Sequence, residues 1–383
     1  MKIAPSLKRL YVIGFLFSLH TALILYSNSS FLNQYIPESY LGLLYSIGAL
    51  LAIVGLLLVP KLIAKFGSKI TMASIGTITL AICLANAFVH NPVVLLVLFC
   101  ILFAVNIMFF LSNDIVIDQV ADTDHMGNIR GTYLTSLNLG YILAPSITGF
   151  ILSRMGFSAL YIIAGLIIIP LILFILIVPS MRQVHPSKTN IWKSLQTLWK
   201  SHDVRNIIGA NFILQFFYSW MVLYTPIFLH RELDIPWDSV GSIFSIMLLA
   251  FVLTQIPLGK LADRFLGEKG LLIFGFIMMG GSTLLLFALP YFTLPLLALI
   301  LFGTRIGASC IEVLTESYFF KKVPKSETGS ISIFRNTYPI AYIIAPILGS
   351  IVLSLLSTKY LFLILGIICL SGILFIIPIK NTK

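Results

Sequence analysis

Long apolar runs, each closed off by a short cluster of charged and turn-forming residues, follow one another along the whole chain. Twelve can be counted, at approximately 10–33, 40–59, 70–89, 93–117, 132–153, 157–178, 206–229, 239–258, 270–290, 295–320, 331–354 and 358–379. Each is about 20 residues long, enough for a helix to cross the hydrocarbon core of a bilayer. The pattern predicts an all-α polytopic membrane protein with twelve transmembrane helices.

The charged stretch Gly259–Lys269 stands between two of these runs, as Pro60–Lys69 does earlier in the chain. Aligning Pro60 with Gly259 sets an offset of 199 residues, at which Pro37 meets Pro236 and Tyr45–Ile47 meets Phe244–Ile246. Tyr141–Pro145 is echoed by Tyr342–Pro346 at an offset of 201. One plan is therefore written twice. The expected organisation is two pseudo-symmetric six-helix bundles, residues 1–180 and 206–383, joined by a cytoplasmic linker at 181–205. In that linker Ile191, Trp192, Leu195, Leu198 and Trp199 mark one helical face among lysines, which predicts an amphipathic helix lying in the membrane interface.

Composition agrees with this picture. The chain is 58% hydrophobic and 10% charged, where a soluble domain carries about 25% charged residues. Its net charge of +11 is spread by topology rather than gathered for nucleic acid. Lys2, Lys8, Arg9, Lys61, Lys65, Lys69, Arg130, Arg182, Lys188, Lys193, Lys200, Arg205, Lys260, Arg264, Lys269, Lys321, Lys322, Lys325, Lys380 and Lys383 fall on one side of the alternation. The other side carries only Arg154, Arg231 and Lys359. This asymmetry predicts cytoplasmic termini in a cytoplasmic (inner) membrane, with the basic loops against anionic lipid heads. The basic, apolar N-terminus reads as an uncleaved first helix. Cys83, Cys100, Cys310 and Cys369 all lie inside apolar runs, with no metal-ligand spacing, and read as small packing residues.

Polar residues inside the runs are unevenly shared. Span 1 holds His20; span 4 holds Asn106 and Asn113 on one face, with Asp114 near its cytoplasmic end. Span 7 aligns Asn211, Gln215 and Tyr218, with Trp220 and Tyr224 further along. Span 10 aligns Arg305, Ser309, Glu312 and Glu316, and Arg335, Tyr338 and Tyr342 belong to span 11. Spans 3, 6, 9 and 12 are bland. The contrast predicts that spans 1, 4, 7 and 10 line a cavity and that the bland spans face lipid.

These residues give the chain a resemblance to the major facilitator superfamily over essentially its whole length. The family's hinge signature is matched by Gly259, Asp263, Arg264, Gly267 and Lys269, with Leu266 as one extra residue. The first-half copy keeps Lys65, Gly67 and Lys69 but has Pro60 for the glycine and Ala64 for the aspartate. A helix 5 signature of the family's drug/proton antiporters is matched in part by Gly131, Gly140, Pro145 and Gly149, with Ala144 and Thr148 in place of two glycines. Small residues that let helices approach closely explain the same pattern. The resemblance implies a secondary transporter that rocks its halves around a site near the bilayer midplane, where Asn106, Gln215 and Arg305 would converge.

A charge at the bilayer centre costs on the order of 3 kcal/mol or more, so Arg305 and Glu312 invite explanation. Glu312 is a candidate proton carrier, and Arg305 either tunes it or holds an anionic group of the substrate; a fixed ion-pair network is the plain alternative. His20 is either a proton relay or a hydrogen-bonded wall residue. Asp114 with Arg130, and Glu316 with Arg335, are candidate gating pairs. Asn106, Asn113, Asn211, Gln215, Tyr218, Trp220, Tyr224, Arg305 and Tyr342 are candidate substrate contacts. No nucleotide loop, metal cluster or soluble domain argues for an enzyme or a cofactor. The expected function is proton-coupled export of an amphipathic or drug-like compound by a monomer. The alternatives are proton-coupled uptake of a polar or anionic metabolite, and a non-transporting sensor or lipid scramblase.

Overall fold

The computed structural model describes residues 5–120, 126–177, 198, 201–262, 267–289, 291–323 and 328–381. Among them, twelve helices are long and apolar enough to cross a membrane. They are α1 (Pro5–Leu25), α2 (Glu38–Phe66), α3 (Ser68–Phe88), α4 (Pro92–Val120), α5 (Met126–Arg154) and α6 (Gly156–Ile177). The second series is α7 (His202–Ile227), α8 (Trp237–Leu261), α9 (Glu268–Ala288), α10 (Leu294–Lys322), α11 (Thr337–Leu355) and α12 (Lys359–Ser371), the last reaching spanning length only with the turn that follows it, over Lys359–Ile376. Short helical turns at Asn28–Leu32, Thr328–Arg335 and Ile373–Ile376 extend α1, lead into α11 and follow α12. The expected amphipathic linker helix lies outside the described residues, apart from Leu198.

The chain divides into two compact units. One is Met1–Pro37, Leu43–Ser187 and Leu229–Ser245; the other is Glu38–Gly42, Lys188–Phe228 and Ile246–Lys383. Inside the first, α1 packs on α5 and α6, and α3 on α4 and α6. Inside the second, α7 packs on α11, and α9 on α10 and α12. The same neighbours recur at the same places in the series, as duplication requires.

Glycine makes the breaks and the close approaches. Gly67 (φ 82°) and Gly267 (φ 67°) stand at matching hinge positions, where a left-handed turn ends one helix and opens the next. Gly140 of α5 lies so close to α1 that an added Cβ would meet Ser18 Oγ and, at 2.7 Å, Leu19 N. In the first unit Gly241 faces the Pro145 carbonyl and lies 3.0 Å, by the same measure, from Gly149 Cα. In the second unit Gly42 faces the Pro346 carbonyl and donates its N–H to Ser350 Oγ at 3.1 Å. In a bilayer, where lipid competes equally well for apolar surface, such small residues let helices adhere. Cys83 Cβ fills the space beside Gly165, and Cys310 Sγ donates to the Leu271 carbonyl at 3.1 Å, so both cysteines serve packing. Leu57, Leu173, Ile277, Leu299 and Leu355 are exposed, which suits a lipid-facing surface.

Where α9 begins, Glu268 is wholly buried and accepts from Lys321 Nζ at 2.6 Å. Its carboxylate also sits in the first turn of a helix, where the backbone dipole favours a negative charge. Lys322 pairs more loosely with Asp203 at 3.4 Å. Tyr318 donates to Asp203 Oδ2 at 3.0 Å and lies 2.7 Å from the Lys380 carbonyl.

Two outcomes follow for the purified protein in detergent, read as apparent Tm. Lys321 and Lys322 are 41% and 37% exposed, but Glu268 is wholly buried where Asp203 is 18% exposed. Losing Lys321 strands the more deeply buried carboxylate, and stranding a buried charge costs more than losing a solvated pair. Lys321→Met should therefore lower Tm by clearly more than Lys322→Met, and equal losses would show that Glu268 does not depend on Lys321. Overpacking costs about 1–3 kcal/mol, so Gly140→Ala should also lower Tm. Gly281→Ala, inside α9 with nothing within 4 Å of the new methyl, should not lower it and, since alanine favours a helix over glycine, should if anything raise it.

Candidate functional site

Within the second unit the polar side chains gather on α7 and α10. Helix α7 is the most enclosed of the twelve, with 78% of its membrane window buried against 33–56% for the others. Glu312, half-buried on α10, accepts a hydrogen bond from Tyr218 Oη of α7 at 3.0 Å. Arg305, two turns earlier on α10, is 1% exposed. Its guanidinium lies 5.1 Å from the Phe217 ring centre and 5.6 Å from that of Tyr218. Its Nε and Nη1 find no hydrogen-bond partner among the described residues. Between the two charged groups, Ser309 Oγ accepts from Thr254 Oγ1 of α8 at 2.8 Å. Tyr218 thus touches both, with its ring toward the cation and its hydroxyl on the acid.

Other candidates on α7 are committed to packing. Trp220 is buried and donates Nε1–H to the Ala345 carbonyl at 2.5 Å; Tyr224 is buried and donates to the Pro346 carbonyl at 3.2 Å. Asn211 Nδ2 donates to Thr337 Oγ1 at 2.7 Å. These bonds tie α7 to α11. Gln215 is half-buried on α7, and Tyr342 is buried on α11 against the Tyr338 ring at 4.6 Å. Glu316 and Arg335 both occupy exposed positions.

The first unit holds the other group. His20 is fully buried on α1, and its Nδ1 meets the Ala164 carbonyl at 2.8 Å. A carbonyl only accepts, so Nδ1 carries the proton and Nε2 is left as an acceptor. Asn106 is a side-chain hydrogen-bonding neighbour of His20, and Asn113 Oδ1 has no partner among the described residues. Asn113 Nδ2 donates to Tyr133 Oη at 2.9 Å. Phe17 stacks on Phe109 at 4.0 Å and meets Phe110 edge-on at 4.8 Å, giving this group an aromatic wall. Asp114 is half-buried on α4, and the Arg130 side chain lies outside the described residues.

Of the hinge residues, Asp263 and Arg264 also lie outside the described residues, and Gly259 falls near the end of α8. Gly267 packs against Asn381, and Lys269 Nζ donates to the Ile377 carbonyl at 2.5 Å. Gly67 has open space around it, Lys65 lies 5.1 Å from the Phe66 ring, and Lys69 is half-buried. Gly140, Pro145 and Gly149 occupy close helix contacts of α5. Sequence reasoning gave Glu268 and Asp203 no role. The available signal was an acidic residue at the first turn of each helix, α9 and α7.

Comparison with known proteins agrees with this architecture. The chain is 23% identical over 337 residues to the MFS-type transporter SLC18B1 of Mus musculus, covering 82% of this chain and 72% of that one. With the Homo sapiens protein of the same name it is 26% identical over 203 residues, or 50% of this chain and 43% of that protein. The match therefore spans less than half of the human relative's length. The crystal structure of the nucleoside transporter NupG superimposes with a TM-score of 0.78 at 16% identity, covering 98% of this chain and 100% of that one. At that identity the likeness speaks for the fold. The profile of the Major Facilitator Superfamily matches residues 10–241 and 207–383, and the chain belongs to that family of membrane transporters.

Proposed function

We propose that this chain is a proton-coupled secondary transporter of a small molecule, with Glu312 as the group that takes up and releases the proton. The observation that carries the reading is a carboxyl midway along a membrane helix, held by one neutral hydroxyl at 3.0 Å. An acid bound by a neutral donor can change its protonation without breaking an ion pair, which a transport cycle needs. Fixed structural acids look different: Glu268 sits against Lys321 at 2.6 Å.

Two coupling modes use such a carboxyl. In exchange, an amphipathic compound leaves as protons enter, and the small-residue run of α5 supports this export mode. In co-transport, a polar or anionic molecule crosses with the proton, and the buried Arg305 supports this uptake mode. Either way the transport unit is one chain, with the basic loops and both termini on the cytoplasmic side of an inner membrane.

The test is proton movement in energised inside-out vesicles, with lipophilic cations and anionic metabolites added one at a time. Compounds that move protons in the wild type should move none above empty-vesicle level in Glu312→Gln. An unchanged response in that variant removes Glu312 from the coupling.

A further inference from the structure

We infer that Arg305 seats the negative group of an organic monoanion, a carboxylate on an apolar body, and that this anion crosses together with the proton on Glu312. The inference rests on Glu312 being the proton carrier. A guanidinium keeps its charge in a protein and offers five N–H donors. Arg305 is 1% exposed, yet its Nε and Nη1 have no acceptor among the described residues. The rings of Phe217 and Tyr218, at 5.1 and 5.6 Å, attract the cation but accept no conventional hydrogen bond. The ring contacts satisfy none of these donors, and a buried donor left unmade is costly, more so on a charged group. The rings do not close that gap. A carboxylate narrows it, because its two oxygens take a guanidinium edge, Nη2 together with either Nε or Nη1. The aromatic faces beside it suit an apolar body on the same molecule.

Charge balance then decides the direction of coupling. The groups that face Glu312 are Tyr218 of α7 and, on α10, Arg305 and Glu316. Glu316 stands one turn further along α10 at an exposed position. Within the enclosed site, without a ligand, the Arg305 cation and the Glu312 carboxylate offset each other. An anion on Arg305 adds one negative charge to a site where net charge is expensive. One proton on Glu312 restores the balance. The loaded site is thus matched to one anion and one proton, and a dianion leaves it a charge in excess. A compound exchanged for protons would need the opposite charge, so that it displaces the proton.

The experiment uses the purified chain in weakly buffered detergent solution with a pH indicator. The probes are aromatic and aliphatic monocarboxylates, phenyl phosphate and tetraphenylphosphonium, and thermal stabilisation reports binding. A monocarboxylate should stabilise the protein and draw protons from solution. Arg305→Gln should weaken that binding at least tenfold, and Arg305→Lys, which keeps the charge but not the fork, should lose most of it. Glu312→Gln should still bind the anion and draw no proton. Proton release on anion binding, unaltered affinity in both Arg305 variants, or no response to any monocarboxylate each overturns the inference. A preference for phenyl phosphate overturns the monoanion assignment. Proton uptake that persists in Glu312→Gln, with binding lost in Arg305→Gln, instead removes the carrier role and leaves the anion seat. The sign of proton movement in the wild type needs no variant to fold.

Discussion

A guanidinium enclosed midway along a membrane helix, with two aromatic rings beside it and a carboxyl two turns away, is the constraint around which the second unit is arranged. Lipid offers no water to solvate such a group, so the helices around it must be held where they shield it. Helix α7 does this. Its buried face brings Phe217 and Tyr218 to Arg305, while Trp220, Tyr224 and Asn211 fasten the same helix to α11. The bonds to α11 make α7 stiff enough for Tyr218 to hold two partners at once.

The fold was legible because the bilayer leaves few solutions. Runs of about 20 apolar residues cross it as helices, and a repeat at offsets of 199 and 201 residues implies a repeated bundle. The helix bounds moved by a few residues: the run from 206 to 229 is part of a span that extends over His202–Glu232. Pairing across elements was harder to read. Helical spacing places Arg305 and Glu312 on one face, but it cannot say that a tyrosine from α7 stands over both. Nor can it say that Trp220 spends its N–H on a backbone carbonyl of α11. Glu268 escaped notice for a related reason, since an acid beside a hinge looks solvated until its burial is known.

The hinges show how one duplicated plan has diverged. Gly67 and Gly267 share a left-handed backbone and a place in the series, so the turn itself is common to both. Their surroundings differ. Around the second hinge, Glu268 is buried on Lys321, Lys269 reaches the Ile377 carbonyl, and Asn381 covers Gly267. Around the first, Gly67 has open space, and Thr71 Oγ1 donates locally to the Gly67 carbonyl at 2.8 Å.

The same asymmetry runs through the interior of the two units. The first keeps a buried acceptor, the Asn113 carbonyl oxygen, and the second keeps buried donors on Arg305. A donor-bearing group is the complement of the first, and an anion is the complement of the second. In the cycle proposed above, proton and anion both belong to the second unit, on two helices linked by Tyr218. A unit that moves as a rigid body keeps Arg305, Tyr218 and Glu312 in one geometry throughout the motion. The charge match between anion and proton is then preserved whichever way the unit faces. Coupling of this kind needs no signal passed between the halves, because what the alternating motion carries is a site already neutral when loaded.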